Sequence, residues 1–459
     1  MQTISKFIIS VLLCSLSLSS VAAEFVLPAY EKVTLKNGLT LYLMEQHEVP
    51  LVDLYITVKA GATADQKAGQ AKLTAANLLL GTQSLSRAEL EAKLDFIGAE
   101  LDADAMLEYS TIQASAASKD LDQVLGWVRD SLLTPAFNQQ EFNNHKQRYL
   151  AGLQQKAESP KAVIKDYFNA QLFKGHAYAA QVDGSSQSVA NIELEDIKDF
   201  HQRWYKPDNT AVIVAGDFNT EQLKKKLQSL FANWQGNTEA MPAITAPAFP
   251  TQAQLMLVDK ADAVESTFMI GGPGIAMSNP DYVAVSVINT VLGGRFTSWL
   301  NDELRVNSGL TYGARSTFEA YQQSGSFYIS TFTKTETTKQ AIDLALQTYQ
   351  RLWEKGIDQE TLESAKAYVK GQFPPRYETS TQLANLMSSM FVYGFKEDFI
   401  NNFSSQVNAL TPDKAKQLVN KYFPKAQLQF VVVGRADAIR ESLKDYGQMQ
   451  QASIQPTQE

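Results

Sequence analysis

Cysteine is almost absent from this sequence, because Cys14 is the only one among 459 residues. It lies in an apolar N-terminal stretch, so a chain processed after that stretch contains no thiol. Thiolate metal sites, cysteine nucleophiles and disulfides are thereby excluded. Stability must come from a hydrophobic core, which this length and a hydrophobic content of 44% allow.

Basic runs and long apolar spans are also missing. The formal net charge is −8 and no lysine or arginine cluster occurs, which argues against nucleic acid as a partner. The apolar run within residues 1–23 is short and ends in small residues, so it predicts a cleaved signal peptide. We expect a mature chain that starts near Glu24, a periplasmic location and no stable membrane anchor. A lipid anchor on Cys14 is the alternative, which Leu13 disfavours because a small residue should precede the cysteine.

Residues 236–254 divide the sequence into two halves of similar size. This stretch is rich in proline and alanine and has neither helical nor strand periodicity, so we expect a linker. The flanking residues 24–235 and 255–446 are then two domains. Residues 447–459 are polar, and we expect a disordered tail there.

The two halves resemble each other where they end. The first closes with IELEDIKDFHQRWYKPDNTAVIVAGD and the second with LTPDKAKQLVNKYFPKAQLQFVVVGRAD. Each segment reads as an amphipathic helix, a turn and a β-branched strand. Phe200 and Leu418, like Gly216 and Gly434, are separated by a constant offset of 218 residues. The sequence therefore predicts a duplicated α+β unit.

Several motifs, in their order and spacing, resemble the pitrilysin/insulinase family of zinc peptidases in its bacterial two-domain form. GQAKLTAANLLLGT (69–82) has the frame of the family's zinc helix. LFKGHAYAAQVDGSSQSVANI is similar to its His-Pro-Tyr-Gly stretch, with Ala177 where proline is usual. LGGRFTSWLNDELRVNSGLTYG (292–313) is similar to its second-domain signature. The resemblance implies an α+β fold of two duplicated domains, each a mostly antiparallel sheet covered by helices. Together they would form half of a clam-like peptidase chamber.

The zinc-binding residues of that family are replaced in this chain. The family's helix reads G-x-x-H-x-x-E-H: two histidines bind zinc, the glutamate activates water, and a distant glutamate completes the ligands. The aligned positions here are Lys72, Ala75, Ala76 and Gly152. A methyl group or a hydrogen cannot coordinate zinc, and a protonated lysine repels it. His145, seven residues before Gly152, has no second histidine at ligand spacing, so we expect no metal and no cofactor in this chain.

A second part of the family's active site is retained. In the family, an arginine and a tyrosine in the pattern R-x-x-x-G-L-x-Y reach across to the zinc-bearing domain. RVNSGLTY supplies Arg305 and Tyr312 at that spacing. The resemblance implies that they contact the substrate backbone and stabilise the tetrahedral intermediate, tasks that suit a guanidinium and a hydroxyl. In the alternative, Arg305 caps a helix or pairs with an acid, and Tyr312 is a core residue.

Lost zinc positions beside a retained Arg305–Tyr312 pair are typical of one subunit in the family's paired bacterial peptidases. We expect an exported, non-catalytic subunit that is no peptidase alone. A zinc-bearing homologous subunit would supply the metal, and the complex would be a zinc-dependent endopeptidase that encloses extended peptides. Two other hypotheses stay open: a peptide-binding or chaperone-like clamp without hydrolysis, and a structural assembly subunit.

Overall fold

The computed structural model describes residues 25–239 and 243–454, so the predicted signal peptide and Cys14 lie outside the described residues. The strands are β1 (Glu31–Thr34), β2 (Thr40–Glu45), β3 (Leu51–Val58), β4 (Glu100–Ala105), β5 (Ser110–Ala117), β6 (Thr210–Gly216), β7 (Gln254–Asp259), β8 (Glu265–Pro273), β9 (Arg315–Ala320), β10 (Gly325–Lys334), β11 (Gln429–Gly434) and β12 (Gln448–Ser453).

The helices of the first domain are α1 (Gln70–Asn77), α2 (Arg87–Ile97), α3 (Leu121–Leu133), α4 (Gln139–Ala157), α5 (Pro160–Leu172), α6 (Ser186–Ala190), α7 (Leu194–Trp204) and α8 (Thr220–Leu230). Those of the second domain are α9 (Tyr282–Asn289), α10 (Trp299–Asn301), α11 (Thr338–Glu354), α12 (Gln359–Gln372), α13 (Ser380–Tyr393), α14 (Asp398–Asn401), α15 (Phe403–Asn408), α16 (Pro412–Tyr422) and α17 (Ala436–Leu443). Between α8 and β7, the described residues form neither helix nor strand. None of the helices in the described ranges is long and apolar enough to cross a membrane.

Each domain is built on one six-stranded sheet. The strand orders among the described residues are β1-β2-β6-β3-β5-β4 and β12-β7-β11-β8-β10-β9. In the first sheet β2 and β6 are parallel, in the second β7 is parallel to both β11 and β12, and the other pairs are antiparallel. Apart from the edge strands β1 and β12, the two orders match strand for strand. The α+β class and the duplication are thereby confirmed, and the clam-like chamber stays a prediction.

The repeated closing segments show why the sequence forms these elements. Helix α7 buries Ile197 and Phe200 on one face, and α16 buries Leu418 and Val419 at the same place in the second domain. The β-branched strands that follow, β6 and β11, are buried along their whole length. A strand buried on both faces needs such a continuous apolar run. The same pattern therefore places the same helix and strand in both domains.

Each domain contributes one helix that packs on the sheet of the other domain, so the two domains exchange a helix within the chain. Helix α5 of the first domain lies on β8 and β11 of the second sheet, and α13 of the second domain lies on β3 and β6 of the first. The ring of Phe168 on α5 contacts that of Tyr328 on β10, with centroids 5.8 Å apart. Across the other contact, the buried hydroxyls of Thr57 and Ser388 are 2.8 Å apart. The hydrophobic core is therefore shared between the two halves of the chain.

The C-terminal tail differs from the sequence prediction. We expected disorder over residues 447–459, but Gln448–Ser453 forms β12, which pairs in parallel with β7 at the edge of the second sheet. Met449 and Ile454 pack against the core, while most side chains of the strand face solvent. An edge strand of this kind is polar in composition because only a few of its side chains are covered. Residues 455–459 lie outside the described part.

Ending the chain after Gly447 is expected to lower the free energy of unfolding by about 1–3 kcal/mol. The truncation removes the packing of Met449 and Ile454 and leaves the backbone edge of β7 unpaired. Urea denaturation followed by tryptophan fluorescence measures the change. Gln450→Ala is the control, because Gln450 is exposed and its loss keeps the strand. Equal stability of the truncated and full-length chains would contradict a structural role for β12.

Candidate functional site

The helix that carries the zinc-motif frame is intact. Helix α1 begins after Gly69, and the carboxylate of Asp65 accepts hydrogen bonds from the backbone N–H groups of Gly69 and Ala71 at 2.9 and 2.8 Å. These bonds satisfy donors that every helix leaves open at its start. Leu73 and Leu78 are completely buried in the first domain. The helix therefore has a packing role that does not depend on a metal.

The side chains at the family's ligand positions do not fit a zinc ion. Ala75 is buried, Ala76 is half-buried, and Gly152 lies exposed on α4 with open space where a Cβ would be. His145 is half-buried on the same helix; burial lowers its pKa, and its Nε2 has no hydrogen-bond partner. In residues 25–239 and 243–454, no group of three or more histidine, cysteine, aspartate or glutamate side chains is placed to hold a metal.

Lys72, at the first ligand position, belongs to an ion-pair network. Its Nζ lies 2.5 Å from Oδ1 of Asp104 on β4 and 3.8 Å from Oδ1 of Asp183. Lys156 on α4 contacts Asp183 at 2.9 Å and Asp166 on α5 at 2.8 Å. Two lysines and three aspartates thus join α1, β4, α4 and α5. Through Asp183, the network links α1 and α4, the two helices that carry the aligned positions of the family's zinc ligands.

Lys72→Met is expected to lower the free energy of unfolding by about 1–2 kcal/mol, because the network is only partly exposed. Asp104 and Asp183, whose side chains are 29% and 33% exposed, would lose this cation. Urea denaturation at low and high salt measures the effect, which should shrink as salt screens the charges. The control is Lys93→Met, since Lys93 is exposed and has no ion pair among the described residues. A salt-independent loss would point to packing rather than charge.

Arg305 and Tyr312 lie on or beside an irregular helical segment. The chain forms π-helical turns over Thr290–Gly294 and Asp302–Asn307, and the second turn carries Arg305. Such turns within helices occur frequently at functional sites. A Cβ on Gly293 would lie 2.2 Å from the backbone nitrogen of Ser316, so only glycine allows this approach to β9. The segment is therefore held closely against the edge strand of the second sheet.

The polar groups of Arg305 and Tyr312 have no polar partner within the described chain. Tyr312 is 83% exposed. The guanidinium carbon of Arg305 lies 4.5 Å from the ring centroid of Phe296, which is itself 67% exposed. Neither side chain makes a hydrogen bond or ion pair with a residue that the structure describes. Arg305 therefore has no acidic partner in the described chain and Tyr312 is not a core residue, while Arg305 does lie in the last turn of its helical segment, as the helix-capping alternative requires.

Three residues around this pair, Phe296, Phe332 and Lys161, were missed by the sequence analysis. The ring of Tyr312 lies 6.3 Å from that of Phe332, and Nζ of Lys161 lies 3.4 Å from the Phe332 ring centroid. Lys161 belongs to α5, so the helix exchange brings a first-domain cation onto the Phe332 ring, which is itself a neighbour of Tyr312. Phe296 stands in the second-domain signature and could have been singled out there. Lys161 had no such signal, because its position depends on the exchange.

Tyr178, in the stretch similar to His-Pro-Tyr-Gly, joins the two domains. It is completely buried; its hydroxyl donates to Oε1 of Glu108 at 2.7 Å and accepts from the N–H of Gln323 at 3.0 Å. The carboxylate of Glu108 also accepts the N–H of Gln322 at 3.1 Å. Burial raises the pKa of Glu108. This part of the resemblance therefore corresponds to a domain contact rather than to an isolated loop.

Comparison with known families agrees with this geometry. Residues 41–185 match the family described as insulinase (peptidase family M16), and residues 191–369 match the peptidase M16 inactive domain. The chain belongs to the M16 peptidase family. Lys72, Ala75, Ala76 and Gly152 stand where this family's zinc ligands and catalytic base would be, so the chain lacks the residues of the M16 zinc site.

Relatives of the chain include a protein named as a non-peptidase homolog and one subunit of the cytochrome b-c1 complex. The non-peptidase homolog YmxG of Helicobacter pylori is 25% identical over 397 residues, which are 85% of this chain and 90% of that protein. Cytochrome b-c1 complex subunit 1 of Rattus norvegicus is 26% identical over 269 residues, which are 58% of this chain and 56% of that protein. The crystal structure of a peptidase M16 inactive domain from Pseudomonas fluorescens has a TM-score of 0.83 at 24% identity, covering 89% of this chain and 98% of that one.

Proposed function

We propose that this chain is the non-catalytic subunit of a two-chain zinc endopeptidase and is exported to the periplasm. A zinc-bearing M16 homologue would be its partner and supply the metal, and this chain would supply Arg305 and Tyr312. One observation carries the proposal. Arg305 and Tyr312 are free of polar partners in the described chain, while Lys72 in its own degenerate zinc site is tied to carboxylates.

The chemistry of the two side chains suits a site completed by another chain. The guanidinium of Arg305 offers donors to the carbonyl oxygens of a bound peptide. Its ring contact with Phe296 restricts its orientation without using its N–H groups. The hydroxyl of Tyr312 can donate a hydrogen bond to the oxygen that becomes negative as the peptide bond is attacked. Both groups need a substrate held against the partner's metal, which is why neither acts alone.

Extended peptides are the substrates that this architecture favours. Strand β9 lies at the edge of the second sheet and begins three residues after Tyr312. A sheet edge can pair with an extended peptide through main-chain hydrogen bonds and with little dependence on sequence. Specificity would then come from the shape of the enclosed space between the two subunits.

Reconstitution tests the proposal. The chain and a zinc-bearing M16 homologue from the same cell are purified separately, and the hydrolysis of a quenched fluorescent peptide is measured for each and for the mixture. We expect no hydrolysis by this chain and at least about a tenfold gain for the mixture over the homologue alone. A mixture no faster than the homologue would refute the proposal. N-terminal sequencing of the periplasmic protein tests export, with Glu24 as the expected first residue.

A structural assembly role is the second candidate, because the chain is similar to a subunit of the cytochrome b-c1 complex. It predicts co-purification with a larger complex whose stability depends on this chain, and no effect of Arg305→Ala on any peptidase. A non-hydrolytic peptide clamp differs from both. It predicts saturable peptide binding by the purified chain without a zinc-bearing subunit.

A further inference from the structure

A cleft of about 620 Å³ lies where the β1–β2 hairpin of the first domain meets the end of α13 from the second. Its walls include the rings of Tyr30, Tyr42 and Phe391. Lys32 and Lys59 also line it. A volume of this order is typical of small-molecule sites. Because α13 is the exchanged helix, the cleft exists only when both domains are folded together.

The two lysines of the cleft have no carboxylate partner. Nζ of Lys59 lies 4.2 Å from the ring centroid of Phe391, and Nζ of Lys32 lies 5.1 Å from that of Tyr42. Within the described residues, neither ammonium group forms an ion pair. Burial and then repulsion by Lys32 lower the pKa of Lys59. The ring faces compensate only part of the cost of placing two like charges beside each other.

The other polar groups of the cleft leave this positive charge open. Glu397 and Asp398 stand at the cleft, but neither lies within ion-pair distance of the two lysines; burial and then the neighbouring Glu397 raise the pKa of Tyr30. Lys396, at the exposed rim, adds a third cation that forms no ion pair with any residue the structure describes. Thr40 is only 8% exposed, and its hydroxyl has no partner among the described residues. The hydroxyl of Thr40 and the ammonium groups of Lys32 and Lys59 thus line one cavity, and each has a hydrogen-bond donor without an acceptor among the described residues.

We propose that this cleft binds a small organic anion, with a carboxylate or phosphate group attached to an aromatic or apolar body. The anionic group would lie between Lys32 and Lys59 and accept the hydroxyl hydrogen of Thr40. Lysine ammonium groups act as point charges for such anions. The body of the ligand would contact Tyr30 and Phe391, which line the cleft and are both partly exposed. This site does not depend on the proposed peptidase role, because it uses neither the residues at the lost zinc positions nor Arg305 and Tyr312.

Isothermal titration calorimetry of the full chain tests the site. The probes are phenyl phosphate and benzoate, which distinguish the two anionic groups, and neutral benzyl alcohol as the ligand control. Lys59→Met should weaken binding by roughly tenfold or more, the value of one charge-assisted contact. Lys36→Met is the protein control, because Lys36 is exposed on the same hairpin and does not line the cleft. Its affinity should equal that of the wild-type chain.

Three results would overturn the proposal. The first is no saturable binding of either anion up to about 10 mM. The second is equal affinity of the wild-type chain and Lys59→Met. The third is benzyl alcohol binding as tightly as the anions, which would make the cleft an apolar site only. If Lys59→Met does not fold, Lys32→Gln replaces it, since Lys32 is exposed and its substitution leaves the core intact.

Discussion

Tyr312→Phe should lower kcat of the reconstituted two-chain peptidase by roughly 10²-fold, the usual effect of removing one oxyanion donor. The substitution deletes only the hydroxyl, and the ring keeps its contact with Phe332. KM should change little, because the lost hydrogen bond strengthens only as negative charge develops. Steady-state kinetics on a fluorescent peptide measures both constants. Tyr368→Phe is the matched control, since Tyr368 is also an exposed tyrosine, 40% exposed, outside the proposed site.

Arg305→Ala belongs to the same prediction but should affect KM as well, because the guanidinium would already bind carbonyl oxygens of the bound peptide. Arg376→Ala is its control, as Arg376 is exposed and lies apart from the signature segment. Complex formation and the zinc content of the complex must be unchanged in all variants. Full activity of both Tyr312→Phe and Arg305→Ala would remove the proposed role of the pair, even if the two chains still assemble.

Phe168→Ala should lower the free energy of unfolding by about 3–5 kcal/mol, the cost of an empty cavity at a buried phenylalanine. Phe168 is completely buried, and it lies on α5 of the first domain against the second sheet. The loss should therefore appear in the second domain. Hydrogen exchange of the β8 and β11 amides should accelerate, and both domains should still unfold in one transition.

Phe96→Ala is the control for this substitution, because Phe96 is 90% exposed. Its effect should stay within about 0.5 kcal/mol. Faster exchange confined to the first domain of Phe168→Ala would show that the domains fold independently. It would also show that the exchanged helix contributes little to the stability of the second sheet.

Several features of the fold could be predicted because they depend on local pattern. The buried, β-branched strands β6 and β11 and the amphipathic helices before them repeat at one offset, which revealed the duplication. Asn37-Gly38, between β1 and β2, is a local hairpin signal of the same kind, and Gly38 adopts a positive φ of +93° there. Strand β12 was missed because its composition is polar and only a few of its side chains pack inward.

The properties of the candidate sites also divide into those that the sequence determined and those that depend on the fold. That Lys72, Ala75, Ala76 and Gly152 cannot form the family's zinc site follows from the identity of the side chains, so the sequence alone determined it. The presence and spacing of Arg305 and Tyr312 were also determined by the sequence. Their lack of polar partners was not, because it depends on what else approaches them.

The tertiary structure decided the contacts between residues that lie far apart in the chain. Amphipathic periodicity shows that α5 has a buried face, but the same pattern fits either sheet. Only the fold shows that α5 and α13 cross to the opposite domains. Those crossings place Lys161 over the ring of Phe332, and they close the cleft around Lys32 and Lys59. The pairing of Lys72 with Asp104 has the same origin, because a charge has no preferred partner until folding brings one within reach.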